Sequence, residues 1–229
     1  DSSTSRGLGD VYKRQTTRNT KENNNMNTLN DFFYSLKKII KDRLGISQLP
    51  IQINNEIEKL HDLWKNRKKN DIRKEYTGTL SDYNQQEINL IGGTTIRFTY
   101  DNDIIRKIIN DKKYKVQKKS LRDLMDNILS ENYLNSDWIY EIASYLQPNW
   151  VHDDDNIILI YFAPMDFYFI QDGKHRFTEA LSKQDLSKEL NIYIVSSDDC
   201  LRAMPYSDDV LLYRILCKIQ NMLTFLGLQ

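Results

Sequence analysis

The sequence predicts an α+β protein, and three observations carry that assignment. Residues 29–44 and the stretch after Pro205 place apolar side chains at helical spacing. Three β-rich runs, NIILIYF, DFYFI and LNIYIV, crowd into the second half of the chain. Helical segments interrupt these runs, so residues 113–200 read β-α-β-β-α-β, compact enough for one α+β domain.

In the first helix Leu29, Phe32, Phe33, Leu36, Ile39, Ile40 and Leu44 follow the 3.6-residue period, with lysines between them. Thr28 with Asp31 makes a capping-box-like start, and Gly45 a stop. A second helix is expected from Asn55 to Lys69, with Ile57, Leu60, Leu63 and Trp64 on one face and KNRKKN as its solvated end. His61 is a lone histidine on that helix, expected to be structural. After Gly92-Gly93, Ile96, Phe98 and Tyr100 alternate with polar residues as in a half-buried strand. DNDIIRKIIND then reads as a short helix.

From Tyr114, YKVQKKSLRDLM reads as a strand entering a turn or short helix. Ser136 is expected to cap a helix whose Trp138, Ile142 and Tyr145 share a face, with Pro148 just beyond it. NIILIYF and DFYFI form a hairpin about Ala163-Pro164-Met165. DGKHRFTEALSKQ supplies a tight turn and a helix, and LNIYIVS the last strand. DDVLLYRILCKIQNMLTFLG is a helix that is apolar over most of its circumference, so it must bury against the domain or against a second copy of the chain.

Composition narrows the class. With 229 residues, 40% of them apolar, the chain can hold one or two domains with a real core. No apolar run reaches the ~18 residues of a membrane span. Two cysteines cannot frame a disulfide scaffold, which favours a reducing, cytoplasmic setting. The expected division is a disordered or non-native leader at 1–25, a mainly helical region at 26–112, the α+β domain at 113–200 and the C-terminal helix at 201–229. The leader contains GLGDVYKRQ, which resembles translated sequencing-adapter read-through at the end of a metagenomic gene model; either Met26 is then the true start or the natural N-terminus is missing. A genuine disordered leader is the alternative.

The 32 basic and 32 acidic residues cancel, but unevenly. Residues 61–119 carry a net +6, and residues 120–229 a net −9. Inside the acidic half lies one basic cluster, Asp172-Gly173-Lys174-His175-Arg176, where a strand ends and a helix begins. Gly173 permits a tight turn and a close backbone approach. The first N–H groups of the next helix lack intrahelical acceptors and lie at the positive end of its dipole. Lys174, His175 and Arg176 add donors there, and Arg176 can grip a phosphate with two of them. The chemistry points to phosphate, of a nucleotide or of a nucleic-acid backbone.

The strand–DGKHR–helix arrangement, FYFIQDGKHRFTEAL followed by NIYIV, resembles the ParB/sulfiredoxin superfamily over residues 113–200. Members place Gly-x-His-Arg or Gly-x-Arg-Arg at this turn to hold nucleotide phosphates. The resemblance therefore implies a phosphate-binding turn of Gly173, Lys174, His175 and Arg176, with Asp172 as the acidic residue before the glycine. It departs from the family in two ways. Sulfiredoxins carry their catalytic cysteine where Lys174 stands, which excludes sulfinic acid repair. The family also has a small residue at the position of Glu179, although Ala180 agrees. No helix-turn-helix region follows the domain, which argues against a centromere-binding clamp.

The leading expectation is thus a ParB/sulfiredoxin-like protein that binds ATP or CTP, acting as a phosphotransferase or nucleotide hydrolase. Gly173, Lys174 and Arg176 hold phosphates, His175 donates to a phosphate oxygen, and Glu179 or Asp172 activates a nucleophile. Glu179, four residues after His175, either orients the imidazole or is a solvated carboxylate. Asp153, Asp154 and Asp155 either ligate Mg²⁺ for a bound triphosphate or are a solvated loop. Cys200 and Cys217 lack metal-ligand spacing, and no metal site of the protein's own is expected. The alternatives are a phage- or plasmid-type protein that binds or nicks DNA, and a catalytically inactive interaction module that dimerises through the C-terminal helix. No membrane partner is expected.

Overall fold

The computed structural model of the chain describes residues 29–135, 137–145 and 156–228. The leader, the expected caps Thr28 and Ser136, Pro148 and the run Asp153–Asp155 lie outside them. The chain divides into two compact units. The first holds the described residues up to Arg73, then Gln85–Thr99 and the chain from Tyr206 onward. The second holds Lys74–Asn84 and the described residues of Tyr100–Pro205.

In the first unit, helix α1 (29–44) buries Leu29, Phe32, Phe33, Leu36 and Ile40 of the face its periodicity predicts, while Ile39 and Leu44 at the edge of that face are only partly buried. Gly45 ends it at φ +65°. Its N–H donates to the Asp42 carbonyl at 3.3 Å and that of Ile46 to the Lys41 carbonyl at 3.0 Å, the Schellman pattern of bonds. Helix α2 (Ile51–Lys65) starts and stops earlier than the expected Asn55–Lys69. The reasons lie at its ends. Pro50, with φ −51°, serves as N-cap, and its carbonyl takes the N–H of Asn54 at 3.0 Å. At the other end the Asn66 amide donates to the Asp62 carbonyl at 3.0 Å. Arg67 then folds back 3.5 Å over the Trp64 ring and donates to the Trp64 carbonyl. After Lys65 the run NRKKN therefore leaves the helix instead of extending it. Ile57, Leu60 and Trp64 are buried, whereas Leu63 falls off the buried face and is half exposed. The His61 ring stacks on Phe33 at 4.5 Å and bonds to the Asn30 amide oxygen. Burial holds its pKa below the usual imidazole value.

Strand β1 (Tyr83–Asn89) pairs with β2 (Thr95–Asp101) across the turn Ile91–Gly93. The sequence predicts the second strand and not the first, because YNQQEIN offers only Tyr83 and Ile88 as apolar residues, five positions apart and without alternation. Phe98 packs edge-on against Tyr213 of α9 (Ser207–Phe225) at 6.3 Å. Helix α9 also packs on α2 and buries Val210, Leu212, Tyr213, Ile215, Leu216 and Ile219. Its start is tied down twice: Ser207 donates to the Asp71 carbonyl, and the Asp209 carboxylate takes the Thr99 N–H at 3.0 Å. Among the described residues no helix is long and apolar enough to cross a membrane.

The second unit carries the mixed sheet. Helix α3 (Asn102–Asp111) is capped by Asp101, whose carboxylate takes the Ile104 N–H at 3.0 Å. Next come β3 (Gln117–Ser120), α4 (Leu121–Asp123) running into a π turn at Leu124–Ile128, α5 (Glu131–Leu134) and α6 (Asp137–Tyr145). Strands β4 (Asn156–Phe162) and β5 (Phe167–Asp172) form the expected hairpin, with Asp166 left-handed at φ +53° in its turn. Helix α7 (Lys174–Ser182), strand β6 (Glu189–Val195) and the short α8 (Ser197–Cys200) complete the unit.

The spatial order is β3-β6-β4-β5, with β4 and β6 parallel and the outer pairs antiparallel. The order of the four strands and the single helix between β5 and β6 match the expected β-α-β-β-α-β, but three short helices, α4 to α6, stand where that order has one. Ile157, Ile158, Leu159 and Ile160 are all buried in succession, so both faces of the central strand are covered. Helices α7 and α8 both pack on β4, α6 packs on α7, and α3 on α8.

Strand β5 ends the sheet order, and Tyr133 of α5 seals part of it. The Tyr133 hydroxyl accepts from the Ile170 N–H at 3.0 Å and lies 3.4 Å from the Ile170 carbonyl, to which it donates. Burial pushes its pKa well above the usual phenol value. Tyr133→Phe strands both backbone groups away from water and is expected to cost about 2 kcal/mol in urea unfolding. A change within a few tenths would show that these groups find other partners.

Candidate functional site

The basic turn sits where β5 stops. Opposite Asp172 is Ile158 of β4, and the start of β4, at Asn156, pairs with Asn191 near the start of β6. The end of β5 and the beginnings of β4 and β6 therefore share one end of the sheet. Gly173 makes the corner at φ +93°, a conformation that L side chains seldom adopt. A Cβ there would stand 2.9 Å from Ile157 Cγ1 and 3.2 Å from Arg176 Nε. The corner is thus closed to side chains by both backbone angle and space.

Gly173 is also the N-cap of α7, and it supplies no side chain to cap it. Its carbonyl takes the Phe177 N–H at 2.9 Å, the first bond of the helix. The N–H groups of Lys174, His175 and Arg176 have no acceptor within the helix and lie at its positive end. Phe177, Thr178 and Ala180 hold the helix on its buried side.

The three basic residues leave this start in different surroundings. The Lys174 ammonium lies 5.4 Å from the centroid of Trp138 in α6. Burial lowers its pKa to about 8, against the opposing pull of the Glu141 carboxylate. The Trp138 ring is itself fixed by Tyr133 and Phe177, and its indole N–H donates to the Tyr133 carbonyl. His175 is half-buried at the second helical position. The Arg176 side chain is only 14% exposed, and its guanidinium lies 3.5 Å from the Asp172 carboxylate.

Asp172 is not alone with Arg176. Arg106 of α3 donates to its other oxygen at 2.7 Å and to the Asp82 carboxylate at 2.7 Å. A line of carboxylates and guanidiniums therefore runs Asp82–Arg106–Asp172–Arg176. Beside it, the Asn102 amide donates to Asp82 at 3.0 Å, the buried Gln171 donates to Asn102 at 2.8 Å, and Asn84 donates to the Gln171 carbonyl. These bonds tie the end of β5 to the start of α3.

On the other side of Arg176 is a cleft of about 370 Å³ lined by Arg176, Glu179, Lys118, Lys188, Glu189 and Asn191. Glu179 stands one turn after His175, as its spacing requires, and its carboxylate takes the Lys183 ammonium at 2.6 Å. Leu190 is the one apolar residue in the lining, and the aliphatic stems of the charged side chains add to its apolar surface.

The structure brings Asp172, Gly173, Lys174, His175, Arg176 and Glu179 together on one turn and helix, as their proximity in sequence requires. The Mg²⁺ assignment of Asp153–Asp155 lies outside the described residues. Among the described residues no cluster of three or more His, Cys, Asp or Glu is set to hold a metal ion. Sequence reasoning missed Arg106, Asp82, Trp138, Lys118 and Lys188. Only tertiary pairing identifies these residues, since Arg106 in IIRKII reads as the ordinary polar face of a helix. Compared with protein-family models, with curated proteins and with solved structures, the chain matches none.

Proposed function

We propose that this protein binds a nucleoside phosphate, such as ATP or CTP, at the β5–α7 turn, in the manner that its resemblance to the ParB/sulfiredoxin superfamily implies. One observation carries the reading. Helix α7 starts at a left-handed glycine that leaves no room for a side chain and offers no cap, and basic residues follow it directly. Backbone donors, a helix dipole and the Arg176 fork then converge on one anion. The rest of the segment is acidic, so general surface charge does not account for the cluster.

In this reading Gly173 lets the phosphate approach the main chain, Lys174 and Arg176 neutralise it, and His175 donates to a non-bridging oxygen. Mg²⁺ would travel with the triphosphate, and no ligand set among the described residues is assigned to it. Isothermal titration with ATP, ADP and CTP tests the proposal. The unaltered protein is expected to bind at least one of them, and Arg176→Ala to weaken binding at least about tenfold, ~1.4 kcal/mol. Absence of binding to all three would overturn it. Phosphate release from the bound nucleotide distinguishes a hydrolase or phosphotransferase from a binding protein.

DNA is the second ligand to try, because Lys68, Lys69 and Lys74 are exposed within the basic stretch. A DNA-backbone site predicts affinity that falls steeply with salt. A protein that binds neither ligand leaves the interaction-module reading, in which α9 and its exposed Phe225 form a contact between copies.

A further inference from the structure

Asp172 places a carboxylate within 3.5 Å of the guanidinium that the phosphate reading relies on. Uncompensated, that charge would act against the site twice, repelling an incoming anion and competing for Arg176. The geometry divides the two interactions unequally. Arg106 holds one Asp172 oxygen at 2.7 Å, a normal charge-assisted hydrogen bond, whereas Arg176 sits at 3.5 Å from the other. Arg106 also reaches Asp82 and, at 3.5 Å, Asp103, but those side chains are 43% and 52% exposed, so solvent screens them. Asp172, at 24%, is the least exposed of the three carboxylates around Arg106.

We infer that Arg106 of α3 is a positioning residue of the anion site: it neutralises Asp172, so that a ligand phosphate can draw Arg176 away from the carboxylate. The inference rests on the phosphate reading above and adds a residue from an element that the resemblance does not cover. Asp172 then tethers Arg176 in the absence of ligand, and Arg106 sets how strong that tether is. The side chain that receives the phosphate is Arg176, and Arg106 acts on it only through Asp172.

The test is a cycle of four proteins, the unaltered chain, Arg106→Gln, Asp172→Asn and the double variant, titrated with ATP and with inorganic tripolyphosphate at fixed salt. Arg106→Gln is expected to weaken binding of both ligands by about tenfold, ~1.4 kcal/mol. Removing the carboxylate as well should restore it, so that the double variant binds within about twofold of Asp172→Asn. A purely structural role for Arg106 gives no such rescue. Arg106→Lys keeps the charge and is expected to bind nearly as the unaltered chain does; it serves also if Arg106→Gln fails to fold. Unchanged affinity in Arg106→Gln, a double variant as weak as Arg106→Gln, or an Arg106→Lys that folds yet binds tenfold worse overturns the inference. Failure of the unaltered protein to bind ATP, ADP, CTP or tripolyphosphate refutes the phosphate site itself, a different outcome.

Discussion

Gly173→Val is expected to lower the unfolding free energy by about 3 kcal/mol and to abolish ligand binding at the turn. Two costs combine. The position has φ +93°, where a β-branched residue is a genuine outlier. The new side chain would also start 2.9 Å from Ile157 Cγ1, on a strand that is buried on both faces and cannot recede. Relief can come only from the Arg176 side, which displaces the guanidinium from its place beside Asp172. Urea unfolding measures the first effect as a lower midpoint at unchanged slope. A loss below about 1 kcal/mol would mean that the corner relaxes, and that its closure to side chains is not what shapes the site.

The second large effect concerns acid. Asp199, in α8, has a side chain only 6% exposed and takes hydrogen bonds from the Lys112 ammonium and, at 2.5 Å, the Tyr114 hydroxyl. Burial pushes its carboxyl up, but Lys112 and Tyr114 outweigh burial and hold it below the usual carboxylate range. A carboxyl whose folded pKa is depressed contributes stability above its unfolded pKa, near about 4, and that contribution is lost as pH falls through the folded value. Asp199→Asn is therefore expected to cost about 2 kcal/mol at neutral pH. Lys112 is half exposed, so solvent screens part of the pair and limits the loss. Below about pH 4 the difference from the unaltered protein should shrink. A gap that stays constant down to pH 3 would show that the carboxyl is not the group whose protonation matters.

What was legible in the sequence follows from where the information resides. Helix α1 and strands β4, β5 and β6 carry their burial in their own spacing, as Phe32, Phe33 and Leu36 or Ile157 to Ile160 show. The DGKHR turn was legible because glycine and three basic side chains are contiguous, and contiguity guarantees proximity. Strand β1 was not legible, because a polar strand such as YNQQEIN is specified by its partner β2. The limits of α2 depended on an Asn66 amide and an Arg67 stack, contacts that periodicity does not register. Arg106 and Trp138 lie on amphipathic helices at positions with no local signature, so only the contacts of Arg106 with Asp172 and of Trp138 with Lys174 and Phe177 give them a role.

The composition of the first unit has a consequence for how the chain must be made. Helices α1 and α2 precede the whole second unit along the chain, yet α9, which packs on α2 and whose Asp209 receives the Thr99 N–H, is translated after all of it. Everything that the second unit needs, through Pro205, has been translated before α9 begins. The mixed sheet can therefore close while the first unit is still incomplete, with its apolar residues waiting for their final partner. The order of synthesis thus favours the half that carries the phosphate turn, and stalled or truncated chains would display the other half unfinished.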